Sequence, residues 1–131
     1  MIKEKRRSGY ESDYSSGLLV VRINGEIDHH SAVEMRKGID AEIFERQPEK
    51  LILDLSGVDF MDSSGLGLIL GRLASVQKVK GELVVINPNE GVMKILKLAG
   101  AERIIKIEKV DVGSIKERNR VSAVRDRKNG K

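Results

Sequence analysis

LILDLSGVDFMDSSGLGLILGRLASVQKVKGELVVI, residues 51–86, decides the architecture. Leu51 to Leu55 is a short branched run with the length of a strand, and Glu82 to Ile86 (ELVVI) is another. Between them, Ser56 to Met61 reads as a connection, and a helix opens at Asp62-Ser63-Ser64. Its apolar residues Leu66, Ile69, Leu70, Leu73 and Val76 recur at helical spacing, and Lys80-Gly81 breaks it. Strand, helix and strand in that order predict a parallel pair joined by a crossover.

The flanks extend this unit. Upstream, Tyr10, Ser12 and Tyr14 alternate with Glu11 and Asp13 as in an edge strand. Ser15-Ser16-Gly17 turns into a second strand, Leu18 to Ile23, and Asn24-Gly25 is expected to end it. From about His30 to Arg46, Ala32, Met35, Ile39 and Ile43 form one helix face, with Asp28 or Ser31 as cap and Pro48 as the far limit. Downstream, Asn87-Pro88-Asn89 leads into a third helix with Val92, Ile95, Leu96 and Ala99 on one face, stopped at Gly100. Arg103 to Glu108 predicts a last strand, and Val112 and Ile115 the start of a short terminal helix that Gly113 weakens. The fold class is α/β, a mixed, mostly parallel sheet of four to five strands with about four helices.

A length of 131 residues fits one domain. Its expected parts are a flexible start at 1–9, a folded body at 10–118 and a basic, disordered tail at 119–131. The net charge of +4 suggests nucleic acid only until it is located. Residues 113–131 carry seven basic groups against Glu117 and Asp126, whereas 17–112 hold thirteen basic and fifteen acidic ones. The body is therefore slightly acidic, and direct nucleic-acid binding is not expected. Aromatics at 3% leave no platform for stacking bases. No apolar run has the ~18–20 residues of a membrane span, and MIKEKRRSGY lacks the apolar stretch of a signal peptide, so a cytoplasmic location is expected.

Catalytic chemistry finds little support. The absence of Cys removes thiolate nucleophiles and Cys-ligated zinc. His29 and His30 are adjacent, their side chains diverge at a helix entry, and no third ligand follows from spacing. Asp28, Asp54, Asp59 and Asp62 offer carboxylates for a divalent cation, but acidic residues at strand ends and turns are common. Gly65, Gly67 and Gly71 match neither the P-loop nor the dinucleotide fingerprint. The spacing of Gly67 and Gly71 predicts close packing of that helix face on the sheet. Asp62-Ser63-Ser64 reads as an N-cap, or as a hydroxyl exposed where a helix tolerates a phosphate.

FMDSSGLGLILGR (Phe60 to Arg72), with GEIDHH (Gly25 to His30) upstream, resembles the STAS-domain anti-sigma factor antagonists. The likeness extends from about Tyr10 to Glu108 and includes ELVVINPNEGVMKILKLAGAERII. Asp28-His29-His30 after Gly-Glu-Ile makes it most similar to the sporulation type, which releases sigma-F.

The resemblance implies a partner-switching protein with no catalytic activity and no cofactor. Its partners are an anti-sigma factor that is also an ATP-dependent serine kinase, and a PP2C-type phosphatase. In the family the serine directly after the motif aspartate is phosphorylated, which maps onto Ser63 and not onto Ser64. Asp28, Asp62, Ser63, Ser64 and Gly65 fall at the docking surface. Two other readings share these residues: a regulatory module of a different partner switch or of a transporter or scaffold, and a nucleotide-binding regulatory domain. Saturable, tight binding of GTP or ATP without any kinase would mark the last.

Overall fold

The computed structural model describes residues 8–111. Five strands form one sheet in the order β1-β2-β3-β4-β5: β1 (Gly9–Ser15), β2 (Leu18–Ile27), β3 (Lys50–Met61), β4 (Glu82–Ile86) and β5 (Lys106–Glu108). β1 pairs antiparallel with β2, and every other pair is parallel. The hairpin between them turns on Ser16 at φ 48° and Gly17 at φ 83°, the left-handed pair that matches strand twist.

The crossovers are α1 (His29–Arg46), α2 (Ser63–Lys78) and α3 (Glu90–Leu98). Three α-helices are thus present among the described residues rather than about four, because the terminal helix expected from Val112 lies outside them. Most of the flexible start and all of the basic tail lie outside as well; Gly9 is already strand.

Each parallel step moves in the same direction across the sheet. Right-handed crossovers then put all three helices on one face. That face holds the main core: Leu19, Val21 and Ile23 of β2, Leu51, Leu53 and Leu55 of β3, and Leu83 and Val85 of β4. Against them lie Ala32, Met35, Ile39 and Ile43 of α1, the four residues its periodicity predicts. Tyr10 of β1 rests on Gly38 of α1, where a side chain would collide with its ring.

Several boundaries differ from the sequence reading. β2 does not stop at Asn24-Gly25, and Ser56 to Met61 is strand, not connection. The two extensions pair with each other, Asn24 with Gly57, Gly25 with Val58, Glu26 with Phe60 and Ile27 with Met61. Register shifts accommodate them, with Gly25 at φ 87°. The last strand begins at Lys106 instead of Arg103, since Gly100 at φ 73° starts a 3-10 turn over Ala101–Arg103 that buries Ala101 and Ile105. Ala99 is the exposed C-cap of α3 and not part of its buried face, which is Val92 and Leu96.

The buried face of α2 is also rotated from the expected one. Gly65, Leu68, Ile69, Arg72, Ser75 and Val76 are buried, while Leu66, Leu70 and Leu73 flank them half-buried. Arg72 turns inward because Asp40 of α1 meets it: Nη2 donates to Asp40 Oδ2 at 3.2 Å, and Nε lies 2.8 Å from Asp40 Oδ1. The second contact is an ion pair without hydrogen-bond geometry. Burial lowers the Arg72 pKa, and the Asp40 charge opposes that shift.

Candidate functional site

β2 and β3 end on a paired rung, Ile27 with Met61, so the next residues, Asp28 and Asp62, emerge side by side. The Asp62 amide still donates to Ile27 O at 3.4 Å. Each aspartate caps the helix that follows. Two helix N-termini therefore share the carboxyl edge of the sheet, where α/β folds place their sites.

At α1 the cap is reciprocal. Asp28 Oδ1 accepts from the Ser31 amide at 2.9 Å, and Ser31 Oγ accepts from the Asp28 amide at 3.0 Å. Asp28 and Ser31, alternatives in the sequence, both take part. His29 and His30 occupy the exposed first turn. At α2, Asp62 Oδ1 accepts from the Ser64 amide at 2.7 Å, and the Asp62 carbonyl accepts from the Gly65 amide at 3.0 Å. The capping role thus falls to Asp62, leaving the Ser63 side chain outside it. Ser63 is exposed, and its hydroxyl makes no hydrogen bond among the described residues. Ser64 is half-buried one position further in.

Gly65 is where the helix meets the core. A Cβ there would lie 2.6 Å from Met61 Cβ and 2.8 Å from its sulfur. Gly67 and Gly71, expected to pack on the sheet, instead have nothing within 4 Å of a Cβ. Gly67 is exposed on the outer side of α2, one turn after Ser63, and Gly71 is half-buried on its flank. Gly65→Val is expected to cost ~1–3 kcal/mol by overpacking. Gly67→Ala is expected to stabilise by ~0.5–1 kcal/mol, since only the glycine's backbone entropy is lost. Thermal unfolding of the two variants checks both, and a reversed order would move the tight contact to Gly67.

Two nearby residues carried no signal of a role in the sequence. Phe60, two residues before Asp62 near the end of β3, is 58% exposed. Asn89 caps α3 through Oδ1, which accepts from the Val92 amide at 2.8 Å. Its Nδ2 donates to Val58 O at 3.1 Å and Asp59 O at 3.2 Å, pinning the end of β3 just before Asp62. Asn87-Pro88-Asn89 reads in the sequence as a turn, and the fold brings Asn89 to the end of β3.

The surroundings of Ser63 are acidic, with Asp28 and Asp62 at the two caps and Asp59 just upstream. Among the described residues no three His, Asp or Glu side chains could hold a metal ion, so Asp28, Asp54, Asp59 and Asp62 do not converge on one. An open cleft of about 950 Å³ between α3 and β5 has Lys94, Lys97 and Lys109 in its lining, but no aromatic ring, and it reaches Asn87, Pro88 and Asn89 but not Asp28, Asp62 or Ser63. No described helix is long and apolar enough to cross a membrane.

Residues 10–111 match the STAS domain family. The chain is 38% identical over 112 residues to an anti-sigma F factor antagonist of Paenibacillus polymyxa, covering 86% of this chain and 96% of that one. Its fold is similar to that of the anti-sigma factor antagonist SpoIIAA in its unphosphorylated form, with TM-score 0.73 and 28% identity over 86% of this chain and 96% of that chain. The phosphorylated form of the Bacillus cell fate determinant SpoIIAA matches with TM-score 0.68 and 27% identity, covering 84% of this chain and 98% of that one.

Proposed function

The chain belongs to the STAS domain family, and from that premise we propose that it is an anti-sigma factor antagonist of the sporulation type, switched by phosphate at Ser63. In its unphosphorylated form it binds an anti-sigma factor that is also a serine kinase, and so releases a sigma factor of the sigma-F kind. Phosphorylation of Ser63 ends that binding, and a PP2C-type phosphatase restores it. The protein itself is a regulator and not an enzyme, working in the cytoplasm without a cofactor.

One observation carries this reading. The Ser63 hydroxyl is exposed, and among the described residues unbonded, at a helix start whose capping is already done by Asp62. A kinase can therefore take this hydroxyl without dismantling the helix. The helix dipole favours an anion there by ~0.3–1 kcal/mol, while the phosphate adds about −1.5 to −2 charge to an already acidic edge. The fold tolerates the phosphate, and a partner built for the uncharged serine does not. That relatives with and without phosphate share this fold at similar TM-scores supports a block at the surface over refolding.

Incubation with ATP and the anti-sigma kinase, followed by phosphate mapping by mass spectrometry, tests the assignment. A single phosphate on Ser63 is expected. Modification of Ser64 in its place, or of neither serine, would move the switch elsewhere.

A further inference from the structure

α3 carries apolar residues on two faces. Val92 and Leu96 are buried beneath it. Glu90, Met93, Lys94, Lys97 and Leu98 recur at helical spacing on another face, which forms a wall of the cleft toward β5. Ile107 of β5, in register with Val85 on the helix side of the sheet, lines the cleft as well. Leu98 is 80% exposed. A lone exposed leucine means little, but here Met93, Leu98 and Ile107 line one concavity.

The polar groups indicate what would sit there. Lys94, Lys97 and Lys109 have no ion pair among the described residues. Of the two carboxylates in the lining, Glu108 lies 3.2 Å from Lys106, and Glu90 stands in the first turn of α3, where the helix dipole favours it. The lining is thus net basic, on a body (17–112) whose thirteen basic residues are outnumbered by fifteen acidic ones. Both asparagines of the lining are already engaged with backbone groups: Asn87 holds Val110 through both ends of its amide, and Asn89 holds Val58, Asp59 and Val92. A polar metabolite needs such groups free and converging on it. This cleft offers apolar contact bordered by lysines.

We propose that the cleft is a docking site for an acidic peptide segment of a partner protein. Its apolar side chains settle on Met93, Leu98 and Ile107, and its carboxylates meet Lys94, Lys97 and Lys109. β5 is the last strand of the sheet and pairs, among the described residues, only with β4. Its outer edge therefore offers a peptide backbone hydrogen-bond partners beside the cleft. Met93 adds a surface that adapts to different apolar side chains. The cleft does not reach Asp28, Asp62 or Ser63, so the inference does not rest on the Ser63 switch.

The test is an NMR titration of the isotope-labelled full chain with a capped peptide of three Glu-Leu-Leu-Glu repeats. Saturable shifts are expected at the amides of α3 and β5. Lys94→Glu with Lys97→Glu should weaken binding by about tenfold or more, as should Leu98→Ser with a smaller loss; all three side chains are exposed, so the fold is kept. Added salt should weaken it too. Ser63→Asp should bind the peptide as wild type does, which keeps this result separate from the switch. Absence of saturable shifts, or shifts away from the cleft, would overturn the proposal. So would equal binding of Lys-Leu-Leu-Lys repeats or of Glu-Ser-Ser-Glu repeats. Stronger binding of dodecanoate at the same amides would assign the cleft to a hydrocarbon anion instead. Shifts of those amides with protein concentration alone would assign it to a second copy of the chain.

Discussion

Ser63→Asp is expected to weaken binding of the anti-sigma kinase by about tenfold or more, with a phosphoserine at the same place costing more still. An unmatched like charge at an interface costs up to several kcal/mol, and each ~1.4 kcal/mol is a factor of ten. The edge around Ser63 already carries the carboxylates of Asp28 and Asp62, so added negative charge builds on an acidic edge. Ser63→Ala removes the acceptor oxygen and adds no bulk, so it should bind as wild type and resist switching. Its stability should stay within ~0.5 kcal/mol of wild type, because the α2 cap is made by Asp62 and alanine suits a first turn. Asp62→Ala, by contrast, should lose ~0.5–2 kcal/mol with the cap. Titration of each variant against the kinase, with ADP and with ATP, reads the affinities, and thermal unfolding reads the caps. Tight binding by Ser63→Asp, or continued phosphorylation of Ser63→Ala, would remove Ser63 from the switch.

What made the strand and helix order legible was strict local periodicity. Ala32, Met35, Ile39 and Ile43 define one face unaided, and the structure buries all four. The candidate site was legible in part, because Asp28 and Asp62 are recognisable cap residues. That they stand side by side was not. It depends on Asn24 to Ile27 pairing with Gly57 to Met61, two stretches whose glycine-rich composition reads locally as turns. Pairing across the sheet overrides that composition, and one strand's sequence does not show its neighbour.

α2 illustrates a different difficulty. Leu66, Leu68, Ile69, Leu70 and Leu73 leave it apolar around much of its circumference, so spacing alone admits more than one inward face. The face is chosen by Gly65, which must touch Met61, and by Arg72, which must reach Asp40. A positive charge facing inward is legible only once its partner, far off on another helix, is known. The expectation for Gly67 and Gly71 rested on their spacing of four alone, and that spacing is met equally by glycines off the packed face: Gly67 is exposed and Gly71 half-buried.

Asp40→Ala should therefore be among the most damaging single changes outside the apolar core. The Arg72 side chain is 4% exposed, and its remaining bond, Nη1 to the Leu68 carbonyl at 3.3 Å, is weak. Without Asp40 a guanidinium that stays protonated is left buried without its counter-charge, a loss of ~3–5 kcal/mol in comparable buried pairs. The partly open position of Asp40, 26% exposed, lets some water in and points to the lower end of that range. For a domain near this size ~1 kcal/mol moves the melting temperature by roughly 4–8 °C, so a fall beyond about 10 °C is expected. Arg72→Met should cost less than half as much. It keeps most of the buried stem volume, removes the charge that needed a partner, and leaves behind only a carboxylate that water can reach. The pair also fastens α1 to α2, the two helices whose N-termini frame the Ser63 edge. If Arg72→Met proves the more damaging of the two, the contact matters through the shape of arginine and not through its charge, and the inward turn of α2 must be credited to Gly65 alone.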